Sequence, residues 1–188
     1  EVQLLLGHVW LHGIHDVEAV LPIYQALANQ PLRTTQKLSA QLGLAECYIL
    51  QEKYVSARDL LEMVVDQQIN FRAAAQKLIG DSYLYEGDFE NAAAEYKQVL
   101  DFSPSDSLSN DALDRVVLIQ SNSDYTNVPL EGYVNALKAN LNGQSDEALN
   151  ICKGTIEAHP QALIVADTWL LVGEIHQSRQ AYSDAIEA

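Results

Sequence analysis

Residues 80–104, GDSYLYEGDFENAAAEYKQVLDFSP, decide the fold of this chain. They present small, aromatic and turn-forming residues in a fixed order: Gly80, Tyr83, Phe89, Ala92, Tyr96, Val99 and Pro104. The order recurs near the end of the chain in Trp169, Val172, Gly173, His176, Tyr182 and Ala185. A pattern with a period of roughly one-third of a hundred residues is typical of stacked helical hairpins. The sequence therefore predicts an all-α repeat protein whose function lies on an extended surface.

These residues resemble the tetratricopeptide repeat, a helix–turn–helix unit with small, aromatic, alanine and proline positions in this order. The approximate repeats are 1–34, 38–71, 73–106, 129–162 and 166–188, the last cut short, with an irregular helix plus loop at 107–128. The resemblance implies a single right-handed α-α superhelix, or solenoid, over residues 1–188. Because both chain ends fall inside repeats, we expect the chain to be a fragment of a longer array.

The small residues in the pattern have a physical reason. Only a short side chain, such as Gly80 or Ala92, lets the two helices of a hairpin approach closely. The aromatic residues fill the space between one hairpin and the next, so a repeat is stable only when a neighbour covers its apolar face. Larger side chains at the small positions are therefore expected to destabilise the protein.

The spacing of the pattern breaks once. The alanine markers Ala92 and Ala148 are 56 residues apart, which is too long for one repeat and too short for two. Between them, residues 111–120 predict a helix, the polar run 121–127 predicts a turn, and Pro129 suits the first turn of the next helix. We interpret this segment as a first helix whose second helix is replaced by a loop. The break either exposes a surface that regular repeats lack or is a tolerated deletion without function.

The charge of the chain limits its partners. It carries 26 acidic and 11 basic residues, a formal net charge of −15. Such a surface repels phosphate backbones and anionic lipids, so no nucleic acid is expected. No apolar run approaches the ~18 residues that span a bilayer, so no membrane insertion is predicted. The favoured partner is a protein or peptide that is basic or apolar rather than acidic; alternatively, the acidity only keeps the solenoid soluble.

The two cysteines and the first residues say little about compartment. Cys47 and Cys152 fall in distant repeats and are predicted to be reduced core thiols. No leader is visible at the start of this sequence. The localisation therefore stays open between the cytoplasm and the bacterial cell envelope.

In the tetratricopeptide family, the first helix of each repeat lines a concave groove. The resemblance therefore implies a partner-binding surface formed by His8, His12, Glu46, Lys77, Asp81, Tyr85, Tyr133, Asn140, Glu174 and Gln177. Chaperone-binding members hold a peptide's terminal carboxylate with basic residues and asparagine. Here Glu46, Asp81 and Glu174 occupy one equivalent position, where they would repel such a carboxylate. Tyr85 and Tyr133 instead suit aliphatic or basic side chains. The alternative is that all of these are solvated helix faces.

One cluster superficially resembles a metal site: His8, His12, His15 and Asp16. Only the first two share a helix face, and Gly13 is predicted to mark the turn between helices, so no third ligand is in place. The sequence has no phosphate-binding glycine loop, no nucleophile elbow and no carboxylate pair in an apolar setting. We therefore predict no metal, no cofactor and no catalytic residue.

These observations favour a non-catalytic protein–protein interaction scaffold that binds a peptide or protein segment in the concave groove. A first alternative is a self-associating structural or assembly component, a homo-oligomer whose contacts are the open last repeat and the loop near Tyr125. A second alternative is a regulatory module within a larger polypeptide.

Overall fold

The structure, a computed structural model, describes residues 2–14, 16–31, 33–67, 69–102, 107–123 and 126–187. Every regular element in these ranges is a helix, which confirms the all-α class. Within the same ranges, no helix is long and apolar enough to cross a membrane. The chain divides into an N-terminal unit, 1–116, and a C-terminal unit, 117–188. A single superhelix running through both units stays a prediction.

The helices follow one another with short connections. The N-terminal unit contains α1 (Val2–Val9), a π-helical segment (Trp10–Ile14), α2 (Val17–Asn29), α3 (Thr34–Leu50), α4 (Tyr54–Gln67), α5 (Ile69–Glu86) and α6 (Phe89–Phe102). The boundary between the units falls within α7 (Ser107–Asn122). The C-terminal unit contains α8 (Val128–Leu141), α9 (Ser145–Ala158), α10 (Ile164–Ser178) and α11 (Tyr182–Glu187).

Within each unit the helices stack as successive hairpins. Each helix from α1 to α6 contacts the next one, and the same holds from α8 to α11. We call α1, α3, α5, α8 and α10 the first helices, because each begins a hairpin. First helices also contact one another directly: α1 contacts α3, α3 contacts α5, and α8 contacts α10. The predicted stacking of hairpins is therefore confirmed within each unit.

Four hairpin turns share one backbone geometry. Their central residues have a positive φ of 59° to 88°: Glu52, Gly87, Gly143 and Gln180. The next N–H donates to a carbonyl five residues earlier, for example from Lys53 to Tyr48 at 2.8 Å and from Asp88 to Tyr83 at 2.9 Å. This is the Schellman arrangement that ends helices. Successive central residues are 35, 56 and 37 residues apart. The long step of 56 residues equals the step between the alanine markers Ala92 and Ala148.

Several close approaches between helices occur where a glycine faces a tyrosine ring. Tyr24 of α2 lies between Gly7 of α1 and Gly43 of α3, and a β-carbon on either glycine would clash with the ring. A β-carbon on Gly80 of α5 would lie 2.8 Å from the Tyr96 ring of α6. Tyr24 and Tyr96 are 4% and 0% exposed, so neither ring has free space beside it. The close contact predicted at Gly80 is confirmed, and Gly43 adds one that the repeat pattern does not mark.

The segment with irregular spacing is mostly helical. Helix α7 contains the predicted helix 111–120 and buries Ala112, Val116 and Ile119. The prediction of a turn at Ser121 and Asn122 is wrong, because both continue the helix and the Asn122 amide donates to a carbonyl one turn earlier. Pro129 lies in the first turn of α8, as predicted. Tyr125, at the loop proposed for self-association, lies outside the described residues.

Both cysteines are buried and free, as predicted. Burial raises the pKa of Cys47 to about 12 and the pKa of Cys152 to about 11. Both thiols are therefore uncharged at neutral pH, whereas the thiolate is the reactive form. The two cysteines act as small apolar core residues.

Substituting alanine for Gly80 is expected to lower stability. Alanine favours a helix over glycine by about 1 kcal/mol, but its β-carbon would overpack the buried Tyr96 ring, which typically costs about 1–3 kcal/mol. Gly80→Leu and Ala92→Leu should cost more, because they add more atoms at the same kind of contact. Circular dichroism melts measure the effect.

Gly154 of α9 provides the matched control. A β-carbon built there meets no atom within 4 Å. Gly154→Ala should therefore gain only the helix preference and stabilise the protein by about 1 kcal/mol. A Gly80→Ala protein that melts as high as Gly154→Ala would contradict the assigned contact.

Candidate functional site

The predicted partner-binding residues lie on the first helices. Their positions are His8 on α1, Glu46 on α3, Lys77, Asp81 and Tyr85 on α5, Tyr133 and Asn140 on α8, and Glu174 and Gln177 on α10. Because first helices contact one another, these residues belong to one layer in each unit. His12 lies in the π-helical segment, and its side chain is outside the described residues. Their contact with a ligand stays a prediction.

These side chains differ in how far they are open to solvent. The exposed ones are His8, Glu174 and Gln177, and the half-buried ones are Glu46, Lys77, Tyr85 and Asn140. Asp81 and Tyr133 are buried, with 7% and 9% of their surface exposed. The exposed and half-buried residues are therefore the part of the layer that a ligand can reach without a rearrangement.

Asp81 lies at the centre of a buried polar cluster. The Tyr96 hydroxyl donates to Asp81 Oδ1 at 2.7 Å, and Lys77 Nζ donates to Asp81 Oδ2 at 2.8 Å. Burial, and next the Asp81 carboxylate, raise the pKa of Tyr96 well above its ordinary value. The phenol therefore stays protonated and remains a hydrogen-bond donor.

This cluster changes the role predicted for Asp81. Both carboxylate oxygens are engaged between α5 and α6, and the Lys77 ammonium balances the charge. Asp81 therefore does not present an open, unbalanced carboxylate that would repel an acidic ligand. Asp81 is a structural residue that holds Lys77 at the edge of the layer.

A second polar cluster joins α4 to the end of α5. Arg58 Cζ lies 4.2 Å from the centre of the Tyr83 ring, and Arg58 donates to Glu86 Oε2 at 2.6 Å. The Tyr54 hydroxyl donates to the Tyr85 carbonyl at 3.1 Å. These contacts hold the last turn of α5, which carries the candidate Tyr85. Arg58 was not predicted from the sequence, because a single arginine outside the repeat pattern gives no signal.

Glu95 of α6 lies in a partly buried setting. The Gln76 side chain of α5, itself buried, donates to Glu95 Oε2, and the Gln98 side chain donates to the same oxygen at 2.9 Å. Burial raises the pKa of Glu95, the hydrogen bond from Gln76 opposes this increase, and nearby Glu62 adds to it. The partners of Glu95 are amides that stabilise its position between helices.

Only part of the histidine cluster near the start of the chain lies within the described residues. The described residues contain no group of three or more His, Cys, Asp or Glu side chains that could hold a metal ion. Asp16 caps α2 by accepting the Ala19 N–H at 3.0 Å. Gly13 lies in the π-helical segment between α1 and α2, where a turn was predicted. His15 lies outside the described residues.

Comparison with known proteins identifies one repeat directly. The tetratricopeptide repeat profile matches residues 39–68, which lie in α3, α4 and their connection. No curated protein matches the sequence. Two solved structures are similar to it, the nearly identical TPR-like repeats of a predicted kinesin light chain from Podosopora anserina and a point-substituted form of the same repeats. Each is 18% identical, with 99% of this chain and 89% of that chain covered and a TM-score of 0.45.

Removing the Tyr96 hydroxyl is expected to destabilise the fold. Tyr96→Phe keeps the ring that packs on Gly80 but leaves Asp81 without one donor. A hydrogen bond to a charged group contributes about 1.5–3 kcal/mol, so the free energy of unfolding should fall by about 2 kcal/mol. Urea denaturation measures this free energy of unfolding. Tyr182→Phe is the control, because that side chain is 61% exposed and its change should stay below about 0.5 kcal/mol. Equal effects of the two substitutions would contradict the role of the Asp81 cluster.

The raised pKa of Glu95 predicts a pH-dependent stability. The folded protein binds the Glu95 proton more tightly than the unfolded chain, so the stabilisation from protonation is lost as pH rises through the folded-state pKa. Glu95→Gln should therefore raise the melting temperature at neutral pH, and this gain should vanish under acidic conditions. Thermal melts across pH measure both.

Glu90→Gln is the control on the same helix. Glu90 is exposed in the first turn of α6, where a negative charge is favourable. Its substitution should therefore not stabilise the protein at neutral pH. A gain for Glu90→Gln as large as that for Glu95→Gln would show that burial is not the cause.

Proposed function

We propose that this chain, whose residues 39–68 match the tetratricopeptide repeat, is a non-catalytic scaffold that binds a peptide or protein segment along its first helices. Tetratricopeptide repeats mediate protein–protein interactions, and their fold is typically a non-catalytic scaffold. The observation that carries the proposal is the direct contact of first helices within each unit: α1 with α3, α3 with α5, and α8 with α10. Within each unit, helices placed side by side present a row of side chains to an extended ligand.

The open side chains in the row of each unit suit a peptide. Asn140 and Gln177 carry amides that both donate and accept, as a peptide backbone requires. The half-buried Tyr85 offers an aromatic face to an aliphatic or cationic side chain. All three lie on helices, so their backbone is already ordered before a ligand binds.

Charge favours a basic or apolar ligand. The net charge of −15 attracts cationic segments and accelerates their encounter with the protein. Glu174 contributes an exposed carboxylate on α10. Lys77 does not reverse this preference, because Asp81 balances its charge at 2.8 Å.

Titration calorimetry with matched peptides tests the proposal. A lysine-containing peptide should bind more tightly than the same peptide with glutamates, and added salt should weaken its binding because exposed charges are screened. Tighter binding of the acidic peptide would contradict the proposed preference. Binding of neither peptide would contradict the scaffold proposal for this ligand class.

A pair of charge reversals locates the binding surface. Glu174→Arg, on the first helix α10, should weaken the lysine peptide by about fivefold, which corresponds to about 1 kcal/mol of exposed charge interaction. Glu147→Arg makes the same charge change on α9, which is not a first helix, and should have a smaller effect. Equal losses from the two variants would mean that only the overall charge matters.

A further inference from the structure

The C-terminal unit contains a cavity that the predicted partner-binding residues do not line. It has a volume of about 380 Å³ and lies between α9 and α10. Its apolar wall is formed by Leu149 and Ile156 of α9 and by Trp169 and Val172 of α10. Trp169 keeps 43% of its surface exposed, although tryptophan is highly buried on average. The cavity is therefore an open apolar recess rather than part of the filled core.

We call the candidate side chains on the first helices the binding row; on α10 these are Glu174 and Gln177. The cavity lies on a different face of α10 from this binding row. Trp169, Val172 and His176 are three and four residues apart, which places them on one face of the helix. Glu174 and Gln177 lie three residues apart on another face. At 3.6 residues per turn, the two faces are separated by roughly 140° around the helix axis. A ligand in the cavity therefore leaves the binding row free.

The opening of the cavity is surrounded by ionisable side chains. Lys153 Nζ and Glu157 Oε1 of α9 are 3.9 Å apart, and both side chains are largely exposed. His176 Nδ1 lies 4.0 Å from Asp184 Oδ2 of α11. With histidine counted as neutral, these four side chains carry two negative charges and one positive charge. Residues 117–188 as a whole contain nine acidic and three basic residues.

We propose that this cavity docks a segment of a partner protein that presents a bulky aliphatic side chain flanked by lysine or arginine. The aliphatic side chain fills the recess beside Ile156 and removes apolar surface from water. The flanking cations complement the acidic C-terminal unit, and the Trp169 ring is the most favourable aromatic face for a cation. A second copy is the wrong occupant, because a net charge of −15 opposes self-association. This site goes beyond the proposed function, since it shares no residue with the binding row.

Fluorescence of Trp169 tests the proposal. The chain has two tryptophans, so Trp10→Phe leaves Trp169 as the single reporter. The probe is a short synthetic peptide with one leucine between lysines. Its binding should shift the Trp169 emission to shorter wavelength, because the leucine removes water from the ring. A peptide with serine in place of the leucine should bind about tenfold more weakly, and a peptide with glutamates in place of the lysines should also be weaker.

Two matched substitutions place the binding at the cavity. Ile156→Ser removes part of the apolar wall and should weaken the leucine peptide by about tenfold. Leu163→Ser makes a similar change at a side chain that is 70% exposed and does not line the cavity, so it should have no effect. Far-ultraviolet circular dichroism checks that both variants fold. If Ile156→Ser does not fold, the leucine and serine peptides make the same comparison on the parent chain.

Several results would overturn the proposal. These are an unchanged Trp169 emission, equal binding of the leucine and serine peptides, a preference for the glutamate peptide, and equal effects of Ile156→Ser and Leu163→Ser. An emission that shifts with protein concentration in the absence of peptide would show that a second copy occupies the cavity. Glu174→Arg should weaken this titration much less than Ile156→Ser does, because Glu174 does not line the cavity. Binding at the cavity and binding at the row are therefore tested separately.

Discussion

Close approach between neighbouring helices is the constraint on which this structure depends. At Gly7, Gly43 and Gly80, the missing β-carbon leaves room for a tyrosine ring from the adjoining helix. A large ring against a residue without a side chain buries much apolar surface at one contact. Tyr24 uses two such contacts at once and thereby joins α1, α2 and α3. The side-by-side placement of the first helices follows from this spacing and from the short Schellman turns.

The same packing decides which polar groups remain for a partner. Tyr96 packs against Gly80, and from there its hydroxyl reaches Asp81, whose other oxygen accepts from Lys77. Asp81 and Glu174 occupy the same position of the repeat pattern. The Asp81 carboxylate accepts hydrogen bonds inside its hairpin, whereas Glu174 is exposed. Equivalent positions in the repeat pattern thus differ in chemistry because their neighbours differ.

Most of the architecture follows from local patterns that the sequence displays. Hairpin order, the contact at Gly80, the helix at 111–120 and the position of Pro129 all depend on spacing or on backbone preferences of single residues. The end of α7 was predicted too early, because Ser121 and Asn122 are turn formers by preference, yet the Asn122 amide bonds back to the helix. Local preference was outweighed there by a hydrogen bond that composition does not reveal.

Residue order fixed the helical class and the hairpin repeat, because periodic small and aromatic residues act through neighbours close in the chain. Packing alone settled the pairing of Asp81 with Tyr96, the position of Arg58 over Tyr83, and the opening between α9 and α10. These features join residues from different helices, and their distances depend on how the helices are placed. A pattern along the sequence contains no such distance. The residues of the candidate surface could therefore be proposed from their repeat positions, but the contacts that set their chemistry could not.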